Sequence, residues 1–152
     1  MSEKILTIGM STYDDYDGVF FTIQSLRLFH GLHDTSKYEF IVLDNNPTSN
    51  HGKECERFMA RIGGKYIPYT EKSSSFNKYE TVKYATGKYM IILDSHVLIQ
   101  SNGIDLLLKY FDKHPDCKDL IQGPLWYDDL SIATHLNPVW SGGMWGTWNS
   151  AQ

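Results

Sequence analysis

Apolar residues recur along this chain in two alternating rhythms. Ile5-Leu6-Thr7-Ile8-Gly9-Met10 is a short apolar run, the mark of a strand. Val19, Phe20, Ile23, Leu26 and Phe29 then fall at the spacing of one helix face. The pair repeats: Tyr38 to Leu43 reads as a second strand, ended by the turn cluster Asp44-Asn45-Asn46-Pro47. Cys55, Phe58, Met59 and Ile62 follow at helical spacing, an amphipathic helix that Gly63-Gly64 stops. A short strand is expected over Lys65–Tyr69, with Pro68 marking a sheet edge, and a helix over Asn77–Thr86, closed by Gly87. Tyr89-Met90-Ile91-Ile92-Leu93 reads as a fully buried strand. Ser101 or Asn102 caps a further helix, with Ile104, Leu107, Leu108 and Phe111 on its core face and Pro115 at its end. Leu120-Ile121-Gln122 gives a fifth strand. From Gly123 to Gln152 the chain is rich in Trp, Gly, Asn and Asp and weakly periodic.

Strands alternating with helices predict an α/β fold, a three-layer α/β/α arrangement around a mostly parallel sheet. At 152 residues, one domain over 1–152 is expected. In such a sheet the carboxyl ends of the strands share one edge, and ligands bind there. Three polar clusters follow strands: Thr12-Tyr13-Asp14, Asp44-Asn45-Asn46 and Asp94-Ser95-His96. Asp94 and His96 are two residues apart, so strand alternation aims both at one spot. A carboxylate oxygen and an imidazole nitrogen there suit a divalent cation such as Mn²⁺. The plainer alternative is a helix cap or turn for Asp94 and a structural role for His96.

Composition narrows the classes. A formal net charge of -4 argues against a general polyanion binder, so no nucleic-acid partner is expected. Aromatics reach 14%, and many stand outside the periodic segments, where they can stack on a ligand or pack over the sheet edge. Cys55 and Cys117 lack metal-ligand spacing and read as reduced, with a disulfide between them left open. No signal-peptide core and no apolar run long enough for a membrane span is visible, so a cytoplasmic location is expected. The loop after the first strand carries one glycine, Gly18, where a dinucleotide fold wants three. A P-loop is absent. A sugar nucleotidyltransferase would bring a basic, glycine-rich loop here, and this one is acidic and aromatic. A response-regulator fold has no use for the Trp-rich tail.

Four segments, in order, resemble the N-terminal, nucleotide-binding part of family 2 glycosyltransferases and their GT-A relatives. They are Thr7 to Tyr13, Val42-Leu43-Asp44-Asn45, Phe76-Asn77-Lys78 through Ala85-Thr86-Gly87-Lys88-Tyr89, and Ile92 to His96. The resemblance implies the transfer of a sugar from a UDP-sugar donor to an acceptor that the sequence does not name. It implies Thr12 and Tyr13 at the nucleobase, Asp44 on the uracil N3–H, and Asn77 at the donor. Asp94 and His96 would hold Mn²⁺ or Mg²⁺ against the diphosphate. His96 departs from the usual Asp-x-Asp and is similar to the polypeptide N-acetylgalactosaminyltransferases, which carry Asp-x-His. Trp140-Ser141-Gly142-Gly143-Met144 resembles those enzymes' segment beside the donor sugar, which adds Gly142 and Gly143 to the expected donor site. Plainer roles stand beside these. Tyr13 can pack on the following helix, Asp44 can form a turn, Asn77 can cap its helix, and Gly142 and Gly143 can turn the chain. His135 reads as a solvated loop residue rather than a further cation ligand.

Members of these families continue beyond the Gly-Gly segment with the catalytic acidic residue and much of the acceptor site. No residue here matches that catalytic group. Asp128 and Asp129 are near in sequence but not in position. The chain therefore reads as truncated at its C-terminus: a short natural form, a fragment, or a domain completed by another chain. Three functions follow. One is a metal-dependent glycosyltransferase. Another is a nucleotide-sugar binding module without turnover. The third is a structural or interaction protein, in which Trp126, Trp140, Trp145 and Trp148 form an interface patch. That tail also offers a surface for self-association.

Overall fold

Four strands run parallel: β1 (Lys4–Thr12), β2 (Tyr38–Asp44), β3 (Lys65–Pro68) and β4 (Gly87–Asp94), in the order β3-β2-β1-β4. The helices are α1 (Tyr16–Phe29), α2 (Asn50–Ile62), α3 (Asn77–Glu80) and α4 (Gly103–Lys113), with a 3₁₀ turn over Thr81–Tyr84. This computed structural model describes residues 4–71, 77–127, 129–141 and 144–150, with side chains as far as residue 133. The chain falls into two compact units, Met1–Tyr110 and Phe111–Gln152.

In the first unit the core follows from strand alternation. Leu6, Ile8 and Met10 of β1 and Phe40 and Val42 of β2 bury one face of the sheet. Against them pack Val19, Ile23 and Leu26 of α1, Cys55, Phe58 and Met59 of α2, and Ile104 of α4. Burying one such large side chain stabilises the fold by about 1.5–3 kcal/mol. The opposite face of β1 carries Thr7 and Gly9. A Cβ on Gly9 would lie 2.4 Å from Thr81 Oγ1, so only glycine lets the 3₁₀ turn rest on the strand. Asp15 caps α1 by accepting from the Gly18 amide at 3.0 Å, and Ser49 caps α2 by accepting from the Gly52 amide at 2.9 Å. Gly63, at φ 73°, ends α2 in the left-handed region.

Glu39 is buried near the start of β2, opposite Thr7 of β1. It accepts from Lys65 Nζ at 2.6 Å, Thr7 Oγ1 at 2.8 Å and the Thr86 amide at 2.9 Å. Burial works against its charge, yet these donors prevail and hold the carboxyl below its ordinary value.

Several expectations need correction. The apolar run of β4 is not fully buried: Tyr89 to Leu93 are half-buried. Among the described strands β4 pairs with β1 alone, so it stands at a sheet edge. Pro68 does mark an edge, that of β3. The helix expected over 77–86 is shorter. After α3 and the 3₁₀ turn the chain is extended at Ala85, which delivers Thr86 to Glu39. No strand forms at 120–122.

The second unit holds β5 (Leu125–Trp126), β6 (Ile132–Ser141) and β7 (Met144–Ser150), an antiparallel sheet in that order. Its register shifts between Asn137 and Trp140, the stretch holding Pro138, which has no N–H for the ladder. Both cysteines are free. Cys55 is fully buried, and burial, then the Asp44 and Asp15 charges, push its thiol up to about 12. Cys117 is half-buried. Among the described residues no helix is long and apolar enough to cross a membrane.

Candidate functional site

The parallel register brings the three polar clusters to one edge. Thr12 stands opposite Asp44, Ser11 opposite Asp94, and Asp44 opposite Pro68. The loops beyond them are stitched together. Thr12 is buried, and its carbonyl accepts from the Asn45 amide at 3.0 Å. Asp14, held at φ 51°, accepts from Asn46 Nδ2 at 3.0 Å. Tyr13 is 64% exposed. The tyrosine that packs inward is Tyr16, edge-on to Phe58 with ring centroids 6.3 Å apart. Tyr13 is thus left as an open aromatic face on the lip of β1.

Asp44 is enclosed. Its Oδ2 accepts from the Tyr66 hydroxyl at 2.7 Å and its Oδ1 from the Asn46 amide at 2.8 Å, closing the turn after β2. Burial, then this carboxylate, raise the Tyr66 phenol above its ordinary value. A Cβ on Gly52 would lie 2.8 Å from Asp44 Oδ2, so the first turn of α2 seals the carboxylate from behind. Asn77, the first residue of α3, is also buried.

At the end of β4 the strand stops at Asp94, and Ser95-His96 form a turn. Strand alternation therefore does not set the direction of His96. The two side chains have separate partners. The Asp94 side chain is 51% exposed, with Oδ1 2.5 Å from Lys78 Nζ. The His96 side chain is 71% exposed, with Nδ1 3.1 Å from Asp15 Oδ2. Asp15 also accepts from Ser95 Oγ at 3.2 Å and from the Gly18 amide. Burial opposes its charge, but the bonds from His96, Gly18 and Ser95 together outweigh it and keep the carboxyl below the usual carboxylate range.

An ionised carboxylate only accepts. The proton of a neutral His96 ring therefore sits on Nδ1, and Nε2 keeps its lone pair. Histidines that bind metals are commonly oriented by such a carboxylate. An exposed carboxylate and an imidazole with Nε2 as its accepting atom are both ligand types of divalent cations, which also take phosphate oxygens and water. Among the described residues no group of three or more His, Cys, Asp and Glu could hold an ion alone.

Thr22 of α1 pins the turn in place: its hydroxyl bonds the carbonyls of Ser95 and Val97 and accepts from the Val97 amide. An apolar groove of about 660 Å³ runs from His96 along α1, lined by Phe20, Phe21, Leu28, Phe29 and Leu98. Gly142, Gly143 and Asp128 lie outside the described residues, as does the side chain of His135 in β6. Asp129, in the second unit, accepts from the Ser131 amide and hydroxyl at 2.9 and 2.6 Å, which holds its carboxyl low.

Sequence reasoning missed Asp15 and Lys78 as members of this edge. An Asp three residues before Gly18 at a helix start is legible as a cap. Its reach to His96, 81 residues away, is not.

Residues 7–126 match the family described as Glycosyl transferase family 2. Among solved structures, S. aureus TarS 1–349 in complex with UDP-GlcNAc is similar at TM-score 0.58 and 17% identity, covering 73% of this chain and 32% of that one. S. aureus TarS 1–349 gives 0.57 and 19%, with coverages of 73% and 33%. S. aureus TarS gives 0.57 and 18%, with 73% and 20%. The chain thus spans about a third or less of the structures it matches. No curated protein matches it. The likeness is one of fold: a mostly parallel central sheet with flanking helices, of the GT-A glycosyltransferase type. With a family match across most of its length, the chain belongs to glycosyl transferase family 2.

Proposed function

We propose that the sheet's carboxyl edge binds a UDP-sugar and acts as the donor half of a glycosyltransferase, with Mn²⁺ or Mg²⁺ at Asp94 and His96. The observation that carries this reading is His96, aimed by Asp15 so that Nε2 is the accepting nitrogen, at the strand-end edge that also bears the exposed Asp94 carboxylate. Tyr13 stacks on the base, worth about 1–3 kcal/mol by analogy with aromatic stacking elsewhere. Asp44 accepts the uracil N3–H through lone pairs that Tyr66 and Asn46 do not use, which requires the Asn45-Asn46 turn to open. Thr12 and Asn77, both buried, shape the lip and its floor, and Gly142 and Gly143 lie by the sugar. A bound divalent cation offsets charge on the departing diphosphate. The UDP-GlcNAc bound by the similar TarS structure supports a uridine donor. The acceptor stays unnamed, and the Asp-x-His likeness to peptide-modifying enzymes concerns the motif alone. Self-association through the Trp-rich tail belongs to the same proposal, with Trp126 of β5 51% exposed.

Calorimetry with UDP, CDP, GDP and ADP, with and without Mn²⁺, tests the reading. UDP should bind best, and Mn²⁺ should tighten it. Asp94→Ala should abolish the tightening. Asp44→Ala removes a bond to a charged group worth about 1.5–3 kcal/mol and should weaken UDP about ten-fold or more. Equal binding of the four diphosphates overturns the assignment.

A further inference from the structure

The acidic end of β4 already holds a cation, and it is a side chain. Lys78 Nζ lies 2.5 Å from Asp94 Oδ1. The Lys78 side chain is 24% exposed, about half the exposure of its partner, so its stem is packed against the protein where it reaches the carboxylate. Its backbone is anchored as well. Lys78 follows the buried Asn77, and its carbonyl accepts from Thr81 Oγ1, the atom that rests on Gly9 of β1. A lysine so tethered reaches a small region around the strand end.

We infer that Lys78 is the resident counter-ion of this site: its ammonium neutralises Asp94 in the free protein and passes to the donor's diphosphate when a divalent cation takes the carboxylate. This rests on the donor-site reading above. Two cations cannot share one carboxylate oxygen without strong repulsion, because like charges a few ångströms apart repel even in water. A divalent ion that takes Oδ1 must displace Lys78 and leave its charge unpaired, and one that takes Oδ2 must sit close beside that charge. A diphosphate removes that obstacle. It carries more negative charge than one carboxylate and offers oxygens to both the ion and the ammonium. Cation and nucleotide then bind cooperatively, and the coupling acts equally in both directions. Lysine suits the task because its ammonium is a compact charge on a flexible stem, with three donors to re-aim.

The test is Mn²⁺ binding by electron paramagnetic resonance, with and without UDP, and UDP binding by calorimetry. Removing the competing charge with Lys78→Met should tighten Mn²⁺ binding to the nucleotide-free protein by about three- to ten-fold, the scale of an exposed ion pair to a doubly charged competitor. The same variant should weaken UDP about ten-fold in saturating Mn²⁺, the loss of a charge-assisted bond. Opposite signs from one substitution are the signature, since a damaged fold would weaken both. Lys78→Gln should repeat the pattern, and Lys78→Arg should keep the wild-type coupling. In an Asp94→Asn background, Lys78→Met should no longer change Mn²⁺ affinity. Wild-type protein that binds both ligands while Lys78→Met and Lys78→Gln leave Mn²⁺ affinity unchanged or lower overturns this inference alone. Wild-type protein that binds neither overturns the donor-site reading, and this inference with it.

Discussion

Replacing Asp15 by Asn separates the orientation of His96 from the stability of the helix that Asp15 caps. Asn keeps an oxygen for the Gly18 amide, now at 3.0 Å, and is as good an N-cap as Asp, so α1 should hold. The other end of the side chain changes character. Where the carboxylate accepts from His96 Nδ1 at 3.1 Å, the Asn amide NH₂ donates, and the ring responds by moving its proton to Nε2. A hydrogen bond to a charged group contributes at most about 1.5–3 kcal/mol. With His96 71% exposed, solvent screening brings this toward about 0–1 kcal/mol, so the melting temperature should fall by no more than about 4 °C. Loss of an orienting carboxylate costs metal affinity about 10–100-fold. Mn²⁺ titration in the presence of UDP measures that loss. Long-range ¹H–¹⁵N spectra of the His96 ring report the tautomer in the free protein, independently of any turnover. An unchanged tautomer together with unchanged Mn²⁺ affinity in Asp15→Asn would refute the reasoning. A melting temperature lowered far beyond the predicted range would mean that the carboxylate's bonds to His96 and Ser95 carry stability as well as orientation.

Two predictions concern the scaffold. Tyr66→Phe leaves the buried Asp44 carboxylate with the Asn46 amide as its remaining partner described above, and should lower stability by about 1.5–3 kcal/mol in urea melts at unchanged slope; a change under about 0.5 kcal/mol would show that the turn relaxes around the loss. Glu39 is held below its ordinary value in the fold, so its stabilisation is complete above the unfolded glutamate value of about 4.3 and drains away as pH falls through the lower folded value. Glu39→Gln should therefore be less stable than wild type at neutral pH and converge on it in acid, a comparison made by thermal melts across that range; parallel curves at every pH would exclude Glu39 as the source.

Much of the first unit was legible because its signals are local. Cys55, Phe58 and Met59 lie on one face of α2 by spacing alone, and all are buried. Pro68 marks β3 as an edge because its ring removes a ladder donor. The apolar run 89–93 misled for a physical reason. Such a run reports affinity for an interior on both faces, whereas burial also depends on how many strands stand alongside, and β4 has β1 alone among those described. The hairpin of β6 and β7 stayed hidden because Pro138 and scattered Asn and Trp break any period of two. At the site, strand ends predicted where Asp94 and His96 lie but not what they touch. Lys78 and Asp15 reach them from 16 and 81 residues away, and no periodicity encodes such contacts. Which of two tyrosines faces the solvent was likewise settled by the cap at Asp15: Tyr16 begins the helix and turns inward, and Tyr13 is left outside.

The two cysteines give the chain a pair of chemical clocks. A thiol reacts as its thiolate, and Cys55 is denied that form by complete burial and by the charges of Asp44 and Asp15, which together push it up to about 12. A water-soluble alkylating reagent must wait for α2 to lift from the sheet before it can mark Cys55. Cys117, half-buried in the second unit, does not wait for that event. One labelling time course followed by mass spectrometry thus yields a prompt addition and a delayed one, and the delay measures the opening of the core. A nucleotide or ion that grips the sheet edge binds the closed form and lengthens that delay alone. Occupancy of the edge becomes countable in mass units, with no acceptor, no labelled sugar and no catalysis required.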